Sequence, residues 1–269
     1  MRCRVPMVAL VCVAALSSGC AQQTPESKAR PASNGGEAAS PSANYTQMVH
    51  AAVQETLGSS ARTVMKTEMG TSPGEPTYTI TAKGAHDFAR NSGNVTAKVG
   101  DVAEFDQVLT DDRIYVRGGT GTETMPWSYT DRADAKVQHM LRPPGNDAAH
   151  LLQQASMSSG YERFGTEKVA GAATTRYSAP LSHKALAFNM TKEARGKSDQ
   201  LRDMMGGEIP VTTDVWVDEE GRAVRVRLSL DIPGSVSSTT TLTLSDLGLA
   251  VKITVPTAEG SEESEQFSG

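Results

Sequence analysis

A single thiol carries the clearest chemistry in this sequence. The chain has cysteines at positions 3, 12 and 20. Cys3 and Cys12 lie inside an N-terminal stretch that reads as an export signal. Arg2 and Arg4 form its basic start, an apolar run follows from Val5 to Leu16, and Ser17-Ser18-Gly19 closes it with small residues. Such a segment is too short to span a bilayer and is removed on export. Cys20 then remains as the lone cysteine of the mature chain. A lone cysteine forms no internal disulfide, and a bare thiol outside the cell is a liability. Thioether linkage and acylation of Cys20 solve that problem and supply a membrane anchor, so Cys20 is the predicted lipid-anchoring residue. The pattern departs from the usual lipoprotein signal in one respect, since Leu16 stands four residues before the cysteine rather than three.

Other chemistry is thin. There is no G-x-S-x-G elbow and no S-x-x-K pair. His50, His86, His139, His150 and His183 are dispersed, none lies in an H-E-x-x-H frame, and no zinc spacing occurs. Asp218-Glu219-Glu220 before Gly221 reads as a polar hairpin loop rather than a calcium site, and Asp111-Asp112 as a solvated turn. Asn44, Asn94 and Asn189 each begin an N-x-T triplet, which in an exported bacterial chain is coincidence. The expectation is therefore a protein that is not an enzyme, with no metal and no cofactor.

Charge narrows the partners. The chain carries 26 basic and 31 acidic residues, and removing Arg2 and Arg4 leaves 24 against 31, a net charge of −7. That argues against nucleic acid and against a surface built to lie on anionic lipid. The expected location is the extracytoplasmic face of the cell membrane.

The elements that must do the positioning follow from periodicity. Residues 20–43 are rich in Ala, Ser, Pro, Gly and Gln and read as a flexible tether; residues 259–269 are Ser/Glu-rich and read as a disordered tail. Between them, residues 44–258 suit one domain. Tyr45, Met48, Val49, Ala52, Val53, Thr56 and Leu57 recur at helical spacing, with Asn44 as the cap and Gly58 as the stop. Alternating runs then predict strands at 62–69, 77–83, 94–99, 103–109, 113–117 and 127–130. Helical segments are predicted at 132–141, from Asn146 to Gly160, and in part from His183 to Met205 with a break at Gly196. Strands return at 161–169, 172–179, 211–217, 223–232, 237–245 and 249–255. The reading is α+β: a large curved antiparallel sheet, a half-barrel, with helices covering its concave apolar face.

Several segments taken together resemble a known family. They are the signal with Cys20, the opening helix, Gly165-Thr166-Glu167-Lys168-Val169 with Gly171 and Thr174-Thr175-Arg176-Tyr177, and Val215-Trp216-Val217-Asp218-Glu219-Glu220-Gly221-Arg222. In order and spacing they resemble the actinobacterial LppX/LprG-type lipoproteins, which belong with the LolA/LolB-like carriers. The resemblance implies a hydrophobic cavity between sheet and helices that takes the acyl chains of a lipid or lipoglycan and carries them in the envelope. It also implies a monomer working with a membrane transporter. An envelope sensor or interaction lipoprotein with the same fold and no cargo is the alternative. Strand alternation nominates the lining: Met65, Met69, Tyr78, Ile80, Val116, Trp127, Val226, Leu228 and Leu242, with Val53 and Leu57 from the helix. A one-residue slip would turn any strand's choice to the other face.

Overall fold

Alternation along the chain is converted into one continuous ribbon of hydrogen-bonded strands. The computed structural model describes residues 41–120, 123–138, 142–257 and 261–263. All of these fall within one compact unit, Ala39–Gly269. Cys20, the signal and most of the tether lie outside the described residues.

Helix α1 spans Pro41–Leu57. It starts before the expected cap, Asn44, because Pro41 has its φ preset for a first turn and lacks only an N–H that would go unused there. The strands are β1 (Ser60–Gly70), β2 (Pro76–Asp87), β3 (Ser92–Val99), β4 (Ala103–Leu109), β5 (Arg113–Thr120), β6 (Glu123–Thr124) and β7 (Trp127–Asp131). After α2 (Ala148–Ser156) come β8 (Glu162–Val169) and β9 (Ala172–Pro180). Helices α3 (His183–Leu186) and α4 (Lys192–Met204) lead to β10 (Val211–Asp218), β11 (Ala223–Ile232) and β12 (Val236–Ser245); β13 (Ser261–Glu263) is last. The thirteen strands form one open sheet, β13-β7-β5-β4-β3-β2-β1-β12-β11-β10-β9-β8, with β6 paired to β5. Every pairing is antiparallel except β13 with β7. The sheet does not close, as expected of a half-barrel.

Three expectations change. Residues 132–138 form a turn and an isolated bridge, Val137 to Met190, instead of a helix. The Arg132 guanidinium is drawn sideways to Asn91 and Thr110, which pulls this stretch off a helical path. Gly196 sits within α4 without interrupting it; the break falls at Asn189, which has φ +55°. Residues 249–255 are irregular, and a strand instead occupies Ser261–Glu263, in the stretch expected to be disordered.

Register settles the two faces. Met65 pairs with Ala82 and Leu242, and Leu242 with Val226, so these four share a face. That face carries the main core, in which Val49, Ala52 and Val53 of α1 and Leu151, Leu152 and Ala155 of α2 pack on Met65, Val95, Val215, Val226 and Leu242. A second cluster joins Leu181, Ala185, Ile209 and Val211 to Leu201 of α4 and to Leu228 and Leu230.

The opposite face buries a tryptophan. Trp216 is almost fully enclosed by Val169, Val224 and Leu247. Arg176, Arg225 and Arg227 lie 5.3, 5.6 and 5.2 Å from its ring centroid. Asp214 accepts two bonds from Arg176 at 3.0 and 2.8 Å and two from Arg227 at 3.0 and 2.7 Å. The indole N–H donates to Glu167 at 2.6 Å. Each guanidinium donates from Nε and Nη2 to a single oxygen, Oδ1 for Arg176 and Oδ2 for Arg227, and so one carboxylate holds both guanidinium planes over the indole.

Candidate functional site

The concave face under the helices gathers most of the nominated residues. Val53, Met65, Ile80, Val116, Val226 and Leu242 are buried. Leu57 and Leu228 are half-buried and pack against the main core. Met69 is half-buried, and beside it Tyr78 is exposed at the end of the same face, the two being paired across β1 and β2. Trp127 is placed on the other face. Its neighbour Ser128 pairs with Val116, so the pleat turns Trp127 outward, where the Arg117 guanidinium stacks on it at 4.7 Å.

The two ends of this face differ. Under α1 and α2, Val53, Val226 and Leu242 have no accessible surface at all. A side chain that bordered a water-sized void would show some, so α1 and α2 pack against the sheet with no such void beside these three. Toward the other end the packing loosens. Ile80 and Val99 are buried but belong to none of the apolar clusters formed by the described residues. Leu228 and Leu230 are only half-buried, and Met69 and Tyr78 carry the apolar stripe out to the strand ends. Thr67 and Thr240 share a hydrogen bond of 3.0 Å in the middle of the stripe, so their hydroxyls satisfy each other and leave the surface effectively apolar.

One polar network was not read from the sequence. Asp147 caps α2, accepting from the Ala149 amide at 2.9 Å. Its carboxylate also meets His86 Nε2 on β2 at 3.5 Å and Arg132 at 3.3 Å. The first of these is an ion-pair distance and too long for a good hydrogen bond. On the far side of the ring, Nδ1 lies 3.1 Å from the Thr63 hydroxyl. Thr63, His86 and Asp147 thus stand in a row that has the order of a nucleophile, base and orienting acid. All three are buried, and His86 is stacked on Phe88 at 5.3 Å, so no substrate reaches the hydroxyl. The row pins α2 to the sheet. Beside it lies a polar cavity of about 140 Å³ bordered by Asn91, Arg132, Asp147, His150, Gln153 and Asn189. The signal in the sequence is Asp147, a capping residue type directly before the α2 run, one residue after the expected helix start at Asn146.

Burial opposes ionisation of Asp147, but His86, Arg132 and the Ala149 amide outweigh it and hold the carboxyl below the usual aspartate range. Burial also keeps the His150 imidazole below its ordinary value, with Asp147 pulling the other way. A depressed carboxyl contributes stability above the unfolded value of about 4 and loses it as pH falls further. Asp147→Asn keeps a capping oxygen but strips the charge from Arg132, and is expected to cost about 2 kcal/mol at pH 7. The urea midpoint of the variant should also fall less steeply than that of the parent below pH 4. An unchanged acid limb would show that other carboxylates govern it.

Among the described residues no group of three or more His, Cys, Asp and Glu could hold a metal ion, and no helix is long and apolar enough to cross a membrane. Elsewhere, an open groove of about 380 Å³ runs along the ends of β8, β9 and β10 past Thr166, Lys168, Thr175, Val217 and Glu219.

In comparisons with solved structures, the chain is similar to the lipoprotein LppX of Mycobacterium tuberculosis, with 16% identity over 78% of this chain and 98% of that one and a TM-score of 0.49. It is similar to LprF of Mycobacterium bovis, at 17% identity over 81% and 99%, with a TM-score of 0.47. A LolA superfamily protein of Nitrosomonas europaea aligns over 74% and 93% at 9% identity and a TM-score of 0.27. No protein-family model matches the chain, and no curated protein matches it in sequence.

Proposed function

We propose that this chain is a lipoprotein of the cell envelope, anchored through acylated Cys20, whose concave sheet face receives the acyl chains of a lipid or lipoglycan. The observation that supports this most is the unfinished apolar stripe: Met69 and Tyr78 continue the core face beyond the part that α1 and α2 fill, past Leu228 and Leu230, which the cluster around Leu201 of α4 covers only in part. Energetics make such a carrier workable. A methylene is worth about 0.8 kcal/mol against water but almost nothing between two oily surroundings, so a chain moves from bilayer to protein without nucleotide hydrolysis. On this reading Ile80, Leu228, Met69 and Tyr78 face the chain, and Met65, Val53, Leu57, Val116, Val226 and Leu242 form the packed floor behind it. No catalytic step and no cofactor is involved.

The filled end under α1 and α2 favours a second reading, an envelope sensor or interaction lipoprotein without cargo. Native mass spectrometry of the unacylated Cys20→Ser chain separates the two. A mass increment that disappears on delipidation supports the carrier, and a bare mass after exposure to lipid supports the sensor.

Leu228→Asp tests the site itself. Leu228 is half-buried where the two apolar clusters meet, so a carboxylate there keeps some contact with water and the fold survives. The expected result is loss of fluorescent fatty-acid uptake by at least tenfold, with circular dichroism unchanged. Uptake retained by the folded variant would move Leu228 out of the site.

A further inference from the structure

The meander gives the sheet two distinct ends. One carries the β1–β2, β3–β4, β5–β6 and β11–β12 turns, together with the segment from α4 into β10. The other carries the β2–β3, β4–β5, β8–β9 and β10–β11 turns. Large apolar side chains are strung along the first end. Val102 in the β3–β4 turn is 73% exposed, Met125 between β6 and β7 66%, and Met204 at the close of α4 78%. Met205 and Tyr78, at 39% and 38%, lie on the same rim. These come from four separate chain segments that share nothing except their place at this end. The unfinished apolar stripe of the concave face opens onto it through Met69 and Tyr78.

The anchor leaves from the same end. Helix α1 runs into β1, which starts at the opposite end, so its N-terminus points back to the rim. The contacts agree: Ser42 Oγ donates to the Tyr161 carbonyl at 3.3 Å, and Thr46 Oγ1 accepts from the Gly160 and Tyr161 amides at 3.1 and 3.2 Å, just where β8 begins. Twenty residues lie between Cys20 and Pro41. A random chain of twenty-one Cα–Cα steps has a root-mean-square span of about 25 Å. This is less than the length of the domain along its strands, so the tether keeps this end near the bilayer.

We infer that this rim docks on the surface of a lipid bilayer, with Val102, Met125 and Met204 entering the interfacial zone, so that the concave face opens directly onto the lipids it loads from. The inference rests on the acyl-chain reading for its purpose but not for its geometry. Charge on the rim selects the kind of bilayer. Glu75, Asp101 and Glu208 are exposed in these same loops, and Lys98 is neutralised by Glu104 at 2.6 Å. The rim therefore suits a zwitterionic surface, and anionic lipid repels it. Apolar side chains on loop tips, rather than a basic patch, supply the contact.

The test uses acylated protein on phosphatidylcholine vesicles. With Cys20 acylated, a thiol introduced by Val102→Cys is the site that takes a bimane label, and Asp112→Cys places the same label at the opposite end. Doxyl-labelled lipid is expected to quench the label at position 102 at least threefold more than at 112. Adding Met125→Asp and Met204→Asp, or replacing a third of the lipid with phosphatidylglycerol, is expected to erase most of that difference. Equal quenching at the two positions, or none at 102, overturns the docking. Fatty-acid uptake in solution is read separately. Uptake lost while quenching persists removes the cargo reading and leaves the docked rim; quenching absent while uptake persists does the reverse.

Discussion

Asp214→Ala is expected to destabilise the protein by about 3 kcal/mol. The carboxylate is buried and holds two arginines through four charge-assisted bonds. Removing it leaves two cations side by side above the Trp216 ring with nothing to separate them. Breaking a fully buried pair costs roughly 3–5 kcal/mol; the lower figure applies here because Arg176 and Arg227 are 21% and 33% exposed and recover some hydration. Urea unfolding reads the loss, and Trp216 emission, isolated by Trp127→Phe in parent and variant alike, reads its location. The expected emission shifts to the red as the guanidinium lid opens. A change below about 1 kcal/mol with unshifted emission would mean that Val169, Val224 and Leu247 enclose the indole without help from the charges.

The second large effect is on location. Cys20→Ser is expected to move the protein almost entirely from the membrane fraction to the soluble fraction. One sixteen-carbon chain is worth on the order of 12 kcal/mol at about 0.8 kcal/mol per methylene, and two or three chains make spontaneous release negligible. Without them only the rim remains, and a few loop-tip side chains give weak, reversible attachment. Fractionation after ultracentrifugation checks this. Cys20→Ser protein that still pellets quantitatively with membranes would show that the anchor lies elsewhere.

The sheet was legible because its strands alternate cleanly. Met65 and Met69 against Lys66 and Glu68 could be assigned to faces before any partner was known, and the register confirms those faces. Trp127 was harder. The short run Trp127–Asp131 has aromatic residues at 127 and 129, which on size alone look like core, yet arginines rather than helices cover them: Arg117 over Trp127 and Arg113 over Tyr129. An arginine stacked on an aromatic ring imitates burial, and no single-strand pattern distinguishes the two. Residues 132–138 failed for another reason. Their weak helical periodicity was real, but the tertiary demand on Arg132 from Asn91, Thr110 and Asp147 outweighed it. The Thr63–His86–Asp147 row was invisible because its members come from β1, β2 and the start of α2 and become neighbours only once α2 lies on the sheet. The filling of the concave face by α1 and α2 was likewise beyond the sequence. Periodicity says which side of a helix is oily, and says nothing of how deeply it sinks.

The strand at the free margin of the sheet, β8, carries one more consequence. Among the described residues it pairs with β9 alone, so its outer amides and carbonyls have no strand partner there. If the proposed acylation of Cys20 confines the molecule to two dimensions, it meets its own copies often, and an unpaired ribbon margin is a template for runaway polymerisation. Here the register slips between Arg163 and Gly165, ejecting Phe164 from the ladder, while Glu162, Arg163, Glu167 and Lys168 place charges of both signs along eight residues. The slip spoils the spacing that an incoming strand would need, and the charges penalise its approach. Crowding on the membrane can then rise without seeding fibrils, and straightening β8 by deleting Phe164 would remove that safeguard.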